Sequence, residues 1–136
     1  MPLTIQLVDE FVPGGKPRIH SLDCTAPPTT LRELLMRRVR EEVEHYNASL
    51  PEVYQGLVQP EESEIILNGF RLKTKRPLDW EMQYRRACSS FSCNGFLVLV
   101  NGEQVTDLDE ELDLSPRQGA SSPEIEFIKL VPLVGG

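Results

Sequence analysis

The chain has 136 residues, 40% of them hydrophobic, and a formal net charge of −7, which suits one compact domain with enough apolar material for a core. No run approaches the roughly 18 consecutive apolar residues of a membrane span, and Met1-Pro2-Leu3-Thr4 lacks the basic and apolar regions of a secretory signal, so a cytoplasmic protein with no membrane partner is expected. The acidic balance argues against nucleic acid as a partner, because phosphates repel such a surface and no counterion release rewards binding.

The first element predicted is a strand, with Leu3, Ile5 and Leu7 on one apolar face and Thr4, Gln6 and Val8 between them. Pro13-Gly14-Gly15 supplies a turn, and Arg18 to Cys24, carrying Ile19 and Leu22, reads as the returning strand of a hairpin. After Pro27-Pro28 comes the clearest helix signal. Thr30 is placed as N-cap, Glu33 completes a capping box, and Leu31, Leu34, Leu35, Val39, Val43 and Tyr46 recur at helical spacing. Residues 47–60 read as a loop punctuated by Ser49, Pro51, Gly56 and Pro60.

Glu64-Ile65-Ile66-Leu67, the Asn68-Gly69 turn and Phe70-Arg71-Leu72 resemble a second hairpin. Past Pro77, the spacing of Trp80, Tyr84, Ala87, Cys88 and Phe91 predicts a second helix whose aromatic stripe packs as core. Phe96-Leu97-Val98-Leu99-Val100 is an unbroken apolar run of the kind found in a strand covered on both faces. Asn101-Gly102 reverses the chain into Glu103-Gln104-Val105. An acidic stretch anchored by Leu108, Leu112 and Leu114 follows, then a polar loop over 115–123 and a last strand over 124–131 rich in Ile125, Phe127, Ile128, Leu130 and Val131.

Charge and cysteines constrain chemistry. Residues 71–86 hold six basic residues against Asp79 and Glu81, whereas 101–136 holds eight acidic residues against Arg117 and Lys129. That acidic part either aids solubility or meets a basic protein partner. Cys24, Cys88 and Cys93 form no CxxC pair and have only His20 and His45 to join them, so ordinary reduced thiols are expected, with no zinc site or other metal. Cys88 with His45 is too poorly framed for a thiol–imidazole pair, and a buried Cys88 on the helix stripe explains it better.

The tail carries the functional expectation. Pro132 cannot donate to a sheet ladder, so the last strand stops near it and leaves Leu133, Val134, Gly135 and Gly136 outside. With Gly at about 7% of average residues, a terminal Gly-Gly arises by chance in roughly 0.5% of chains. A carboxylate threaded through a narrow channel toward a nucleotide phosphate needs residues with no Cβ to block the approach. Conversion to a mixed anhydride with AMP then makes its carbonyl open to attack by sulfur, with the catalytic groups on the partner. The chain would be a substrate and carrier with no catalytic residues of its own.

The stretch from Phe96 to Gly136 resembles the C-terminal half of the ThiS and MoaD sulfur carriers and, more loosely, of ubiquitin. The apolar run with Asn101-Gly102-Glu103, the acidic connection Thr106-Asp107-Leu108-Asp109, and Glu124 through the Pro132-Leu133-Val134-Gly135-Gly136 exit carry the likeness, while 3–46 matches in element order. The resemblance implies an α+β fold of ubiquitin-like β-grasp type, a mixed sheet packed on one main helix. It implies one domain over 1–131, an inserted segment with a second helix at about 48–95, and a flexible tail over 132–136. Simple members lack that surplus, and either 64–70 or 96–100 takes the strand after the first helix.

By the same resemblance Gly136 carries the activated carboxylate, Pro132, Leu133, Val134 and Gly135 run through the partner's channel, and residues on the sheet face dock to an adenylating activating enzyme that uses ATP, with no cofactor bound to the chain itself. Two fates follow activation. A modifier passes by thioester through a conjugating enzyme to amines of target proteins and is removed by a deconjugating protease. A sulfur carrier forms a thiocarboxylate on Gly136 for a cofactor or tRNA. The extra helical segment favours the modifier, since successive partners need distinct surface. A ubiquitin-like interaction domain without activation is a third possibility.

Overall fold

The computed structural model describes residues 3–12, 16–66 and 69–130. The expected turn at Pro13-Gly14-Gly15, the hairpin tip at Leu67-Asn68 and the tail from Val131 lie outside the described residues. The elements in order are β1 (Leu3–Val12), β2 (Arg18–Cys24), α1 (Leu31–Ser49), β3 (Ser63–Ile66), β4 (Gly69–Leu72), α2 (Trp80–Ser92), β5 (Phe96–Val100), β6 (Glu103–Val105) and β7 (Glu124–Leu130). The class is α+β. The chain divides into two compact units, one made of residues 1–32 and 91–136 and the other of 33–90.

The first unit is a mixed five-stranded sheet in the order β2-β1-β7-β5-β6. β1 pairs antiparallel with β2 and parallel with β7, while β5 pairs antiparallel with both β7 and β6. Register puts Ile5, Leu7, Leu22, Cys24, Val98, Val100, Val105, Ile125 and Phe127 on one face, and all are buried. Phe96 continues that face, with its ring centroid 6.1 Å from Phe127 and 5.8 Å from Phe91.

The other face is open, with Val8 its one buried side chain among the described residues. Leu97 and Leu99 are half-buried there, so the apolar run of β5 is covered on one side only, and Ile19 is 65% exposed. Asn101 and Gly102 both adopt positive φ, 49° and 87°, the conformation that a tight two-residue hairpin with right-handed twist demands. Of the two segments eligible to follow the first helix in the sheet, Phe96–Val100 is the one inside it.

The acidic connection after β6 has a structural duty at the start of α1. The amides of Leu31 and Arg32 donate to the carbonyls of Glu110 (3.3 Å) and Leu108 (2.8 Å), and the amide of Leu112 donates to Thr29 (2.9 Å). First-turn amides have no intrahelical acceptor, so carbonyls from elsewhere satisfy them. Leu108, Leu112 and Leu114 are only half-buried. These backbone bonds and the Arg32–Asp109 ion pair at 2.9 Å anchor the stretch as much as its leucines do.

The second unit combines the rest of α1, the hairpin of β3 and β4, and α2. Leu34, Leu35, Val39, Val43 and Tyr46 are buried as their spacing predicts. Tyr54 extends the hairpin by exchanging backbone hydrogen bonds with Phe70 at 2.8 and 3.0 Å, and its ring meets Tyr46 edge-on at 5.3 Å. The buried face of α2 matches expectation only at Ala87. It runs through Gln83 and Ala87, whereas Trp80, Tyr84, Cys88 and Phe91 are half-buried.

The rotation of α2 has a polar cause. The Gln83 amide donates to the carbonyl of Val58 (3.2 Å), and Arg86 Nε donates to that of Gln59 (2.8 Å). The irregular segment 50–62 has few backbone partners of its own, so helix side chains supply them. Trp80 instead lies beneath the Arg40 guanidinium, 5.2 Å from the ring centroid. No described helix is long and apolar enough to cross a membrane.

Candidate functional site

Pro132, Leu133, Val134, Gly135 and Gly136, the residues on which sequence reasoning centres, lie outside the described residues. What the structure describes is the strand that leads to them. β7 alternates acidic and apolar residues, Glu124-Ile125-Glu126-Phe127, so a pleated strand sends Ile125 and Phe127 into the core and both glutamates to the open face.

β7 is held along its whole length. At its start Gln6 donates its amide to Pro123 (2.9 Å), Asn101 donates its amide to Glu124 (2.8 Å), and the Glu124 amide donates to Asn101 Oδ1 (3.0 Å). At its end the Leu130 amide donates to Gly95 (3.2 Å), although the Leu130 side chain is already 44% exposed. On the core side Lys129 Nζ stands 5.3 Å from the centroid of the Phe11 ring.

The open face gathers carboxyl groups near this strand. Val8 pairs in register with Glu126, and Glu10 with the next outward residue, Ile128, so Glu10, Glu124 and Glu126 share one face of two central strands. Burial holds the Glu126 carboxyl above the usual carboxylate range, reinforced by the charges of Glu10 and Glu124 and by a hydrogen bond with Glu10, while Arg117 opposes the shift.

The opposite face has its own acid. Asp9 is 1% exposed, with His20 Nε2 3.1 Å and Arg18 Nη1 3.8 Å from its Oδ2. A buried carboxylate needs such partners to offset lost hydration.

A groove of about 340 Å³ opens beside β6, lined among others by Arg32, Phe91, Asn94, Gln104, Thr106 and Asp107. Neither His nor Cys lines it. The Arg32 guanidinium there is engaged by Asp109, whose carboxyl it holds below the usual range.

Cys24 is buried, Cys88 half-buried and Cys93 exposed, all three as free thiols, and His45 is exposed. Among the described residues no group of three His, Cys, Asp or Glu side chains is placed to hold a metal ion. Sequence reasoning missed both the Glu10–Glu126 pair and the buried Asp9. The first has a visible signal in the alternation of β7, which fixes its acids on one face, whereas Asp9 sits where parity with Leu7 already makes it a core position. Comparison with protein-family models, curated proteins and solved structures gives no match to this chain.

Proposed function

We propose that this chain is a ubiquitin-like modifier, with the Gly136 carboxylate adenylated by an activating enzyme at the expense of ATP and then transferred by thioester to amines of target proteins. The observation that carries this reading is the Pro132-Leu133-Val134-Gly135-Gly136 motif directly beyond β7, a strand held between a parallel and an antiparallel neighbour. A tail that leaves a fully paired strand starts from a fixed point, which favours its entry into a channel. The two glycines offer no Cβ to obstruct the reacting carbonyl.

In this reading the fold is a β-grasp. The strand order β2-β1-β7-β5-β6, with β1 and β7 as its one parallel pair, and the α1 signal following the first hairpin support it. The segment at about 48–95 is then an insertion. Its hairpin and second helix offer surface beyond the sheet, and that favours a modifier met by several partners in turn.

Incubation of the full chain with ATP and a candidate activating enzyme, followed by intact mass measurement and by gel analysis of cellular proteins, tests the reading. Ladders of conjugates that vanish on deletion of Gly135 and Gly136 are the expected result. A terminal carboxylate whose oxygen is replaced by sulfur, without ladders, would overturn the modifier in favour of a sulfur carrier. Cellular function intact after that deletion would sink tail activation altogether.

A further inference from the structure

The hairpin of β3 and β4 leaves one edge open, and the backbone bonds around it show where. In an antiparallel pair, residues that exchange both backbone hydrogen bonds alternate with residues that exchange none. Phe70 commits its amide and its carbonyl to Tyr54, at 3.0 and 2.8 Å, so it has neither left for Ile65, its partner in register across the hairpin. The Lys73 amide donates to Glu62 (2.9 Å), which likewise puts the bonded rungs at even-numbered residues of this strand. Ile65 therefore turns its own amide and carbonyl away from β4. Ser63 turns the same way, and its carbonyl accepts from Gln59 Nε2 (3.0 Å). Ile65 has no such partner among the described residues, and its side chain is 59% exposed.

A free strand edge is a template for another strand, and proteins blunt such edges with lysines and other charges, proline, bulges or a cover. β3 carries neither lysine nor proline, and its one charge, Glu64, is matched by Arg71 Nη2 at 2.6 Å. We propose that the outer edge of β3 pairs antiparallel with the same edge of a second copy of this chain, about a two-fold axis through Ile65. Each Ile65 amide then donates to the Ile65 carbonyl of the other copy.

The pattern of the strand selects this occupant and this register. Ile65 is the residue of β3 whose outward amide and carbonyl are both free, so a symmetric contact centres on it. An axis at Glu64 would set two glutamates directly opposite each other, which is destabilising, whereas an axis at Ile65 sets each Glu64 against an Ile66. An axis at Ser63 would engage the carbonyl that Gln59 already holds. Cross-strand partners share a face, so pairing at Ile65 joins Phe70 and Ile65 of one copy to Ile65 and Phe70 of the other in one apolar row. That row continues the contact of the Phe70 and Tyr54 rings at 6.4 Å. The two hairpins become one four-stranded sheet, a size that stands far better in water than two strands.

The pairing belongs to the 33–90 unit and makes no use of residues 132–136, so it stands or falls apart from tail activation. Sedimentation equilibrium of the full chain from micromolar to millimolar concentration should show a reversible monomer–dimer equilibrium. A dissociation constant of about 100 μM is expected, as suits a contact below the standard interface size. Ile65→Lys sets two like charges at the axis and should weaken the dimer by about tenfold or more. Ile65→Pro removes the outward amide, which the hairpin itself does not use, and should do the same. Where proline unsettles the hairpin, Ile65→Lys, with its backbone intact and an unchanged amide spectrum away from β3, carries the test. In a Cys93→Ser background, Ile65→Cys should cross-link on mild oxidation through residue 65 of both copies, because Cα atoms of a bonded antiparallel pair lie about 5.5 Å apart, within disulfide reach. Ser63→Cys in that background should not. A chain that stays monomeric up to millimolar concentration, a dimer that survives Ile65→Lys, or cross-linking no better through Ile65→Cys than through Ser63→Cys would each overturn the proposal.

Discussion

The sheet unit and the 33–90 unit solve burial in different ways. The sheet closes on an almost wholly apolar face, and it holds five basic residues against eleven acidic ones, whereas 33–90 is nearly balanced at nine against ten. Inside 33–90 the buried set includes Arg38 at 1% exposure and Gln83, with Arg38 Nε donating to Glu42 (3.2 Å) and Glu42 Oε1 accepting from the Leu57 amide (3.1 Å). The regular sheet satisfies its own backbone. The irregular 50–62 segment cannot, and it recruits side chains instead.

That contrast is tested most severely by cutting the apolar core of the sheet. Phe127 is fully buried between Val98 and Asp9 in register. Phe127→Ala should cost about 4 kcal/mol in denaturant unfolding, from lost transfer energy plus the cavity left behind. A cost below about 1 kcal/mol would mean that the face is loosely packed.

Next comes Glu42→Ala. Removing this carboxylate takes one charged partner from the buried Arg38 guanidinium and takes from the Leu57 amide its Glu42 acceptor. About 3 kcal/mol is expected, because weakening the pairing of a buried charge costs more than an exposed ion pair contributes, and a buried amide loses its acceptor as well. If the loss resembles that of an exposed pair such as Arg40–Glu44, a few tenths of a kcal/mol, then polar support of 50–62 is incidental and the contrast between the units dissolves.

Gly56→Ala sharpens the same point on a smaller scale. An added Cβ at Gly56 would overlap the Tyr54 ring, which is buried and edge-on to Tyr46. Burial also holds the Tyr54 hydroxyl far above its usual range, with Glu42 adding to the shift and the Gln83 hydrogen bond opposing it. A cost of about 2 kcal/mol from forced repacking is expected, together with a change in Tyr54 near-ultraviolet dichroism.

What could be read from the sequence divides along the same line. The alternating starts of two strands, Leu3 to Leu7 and Glu124 to Phe127, and the α1 stripe are legible because one apolar period matches one buried face. Of the expected α2 stripe only Ala87 is buried, because burial there also follows Gln83, which is held by a hydrogen bond to Val58 and not by hydropathy. Aromatic spacing had pointed to Trp80, Tyr84 and Phe91. Likewise Phe96–Val100 is apolar on both faces in sequence, yet only its even-numbered residues meet the core. Of the candidate site, the supporting strand was legible, while the acids of β1 and β7 become neighbours only through a parallel pairing between residues more than a hundred positions apart.

The smallest expected effect concerns that pairing. For Glu126 the folded state binds its proton more tightly than the unfolded chain does, since burial and the Glu10 and Glu124 charges raise its folded pKa. Its contribution is therefore fully present below the unfolded glutamate pKa of about 4.3 and is lost as pH rises through the raised folded value. Glu126→Gln removes this penalty. The variant should match the wild type near pH 4 and exceed it by about 0.5 kcal/mol at pH 7 in parallel urea melts.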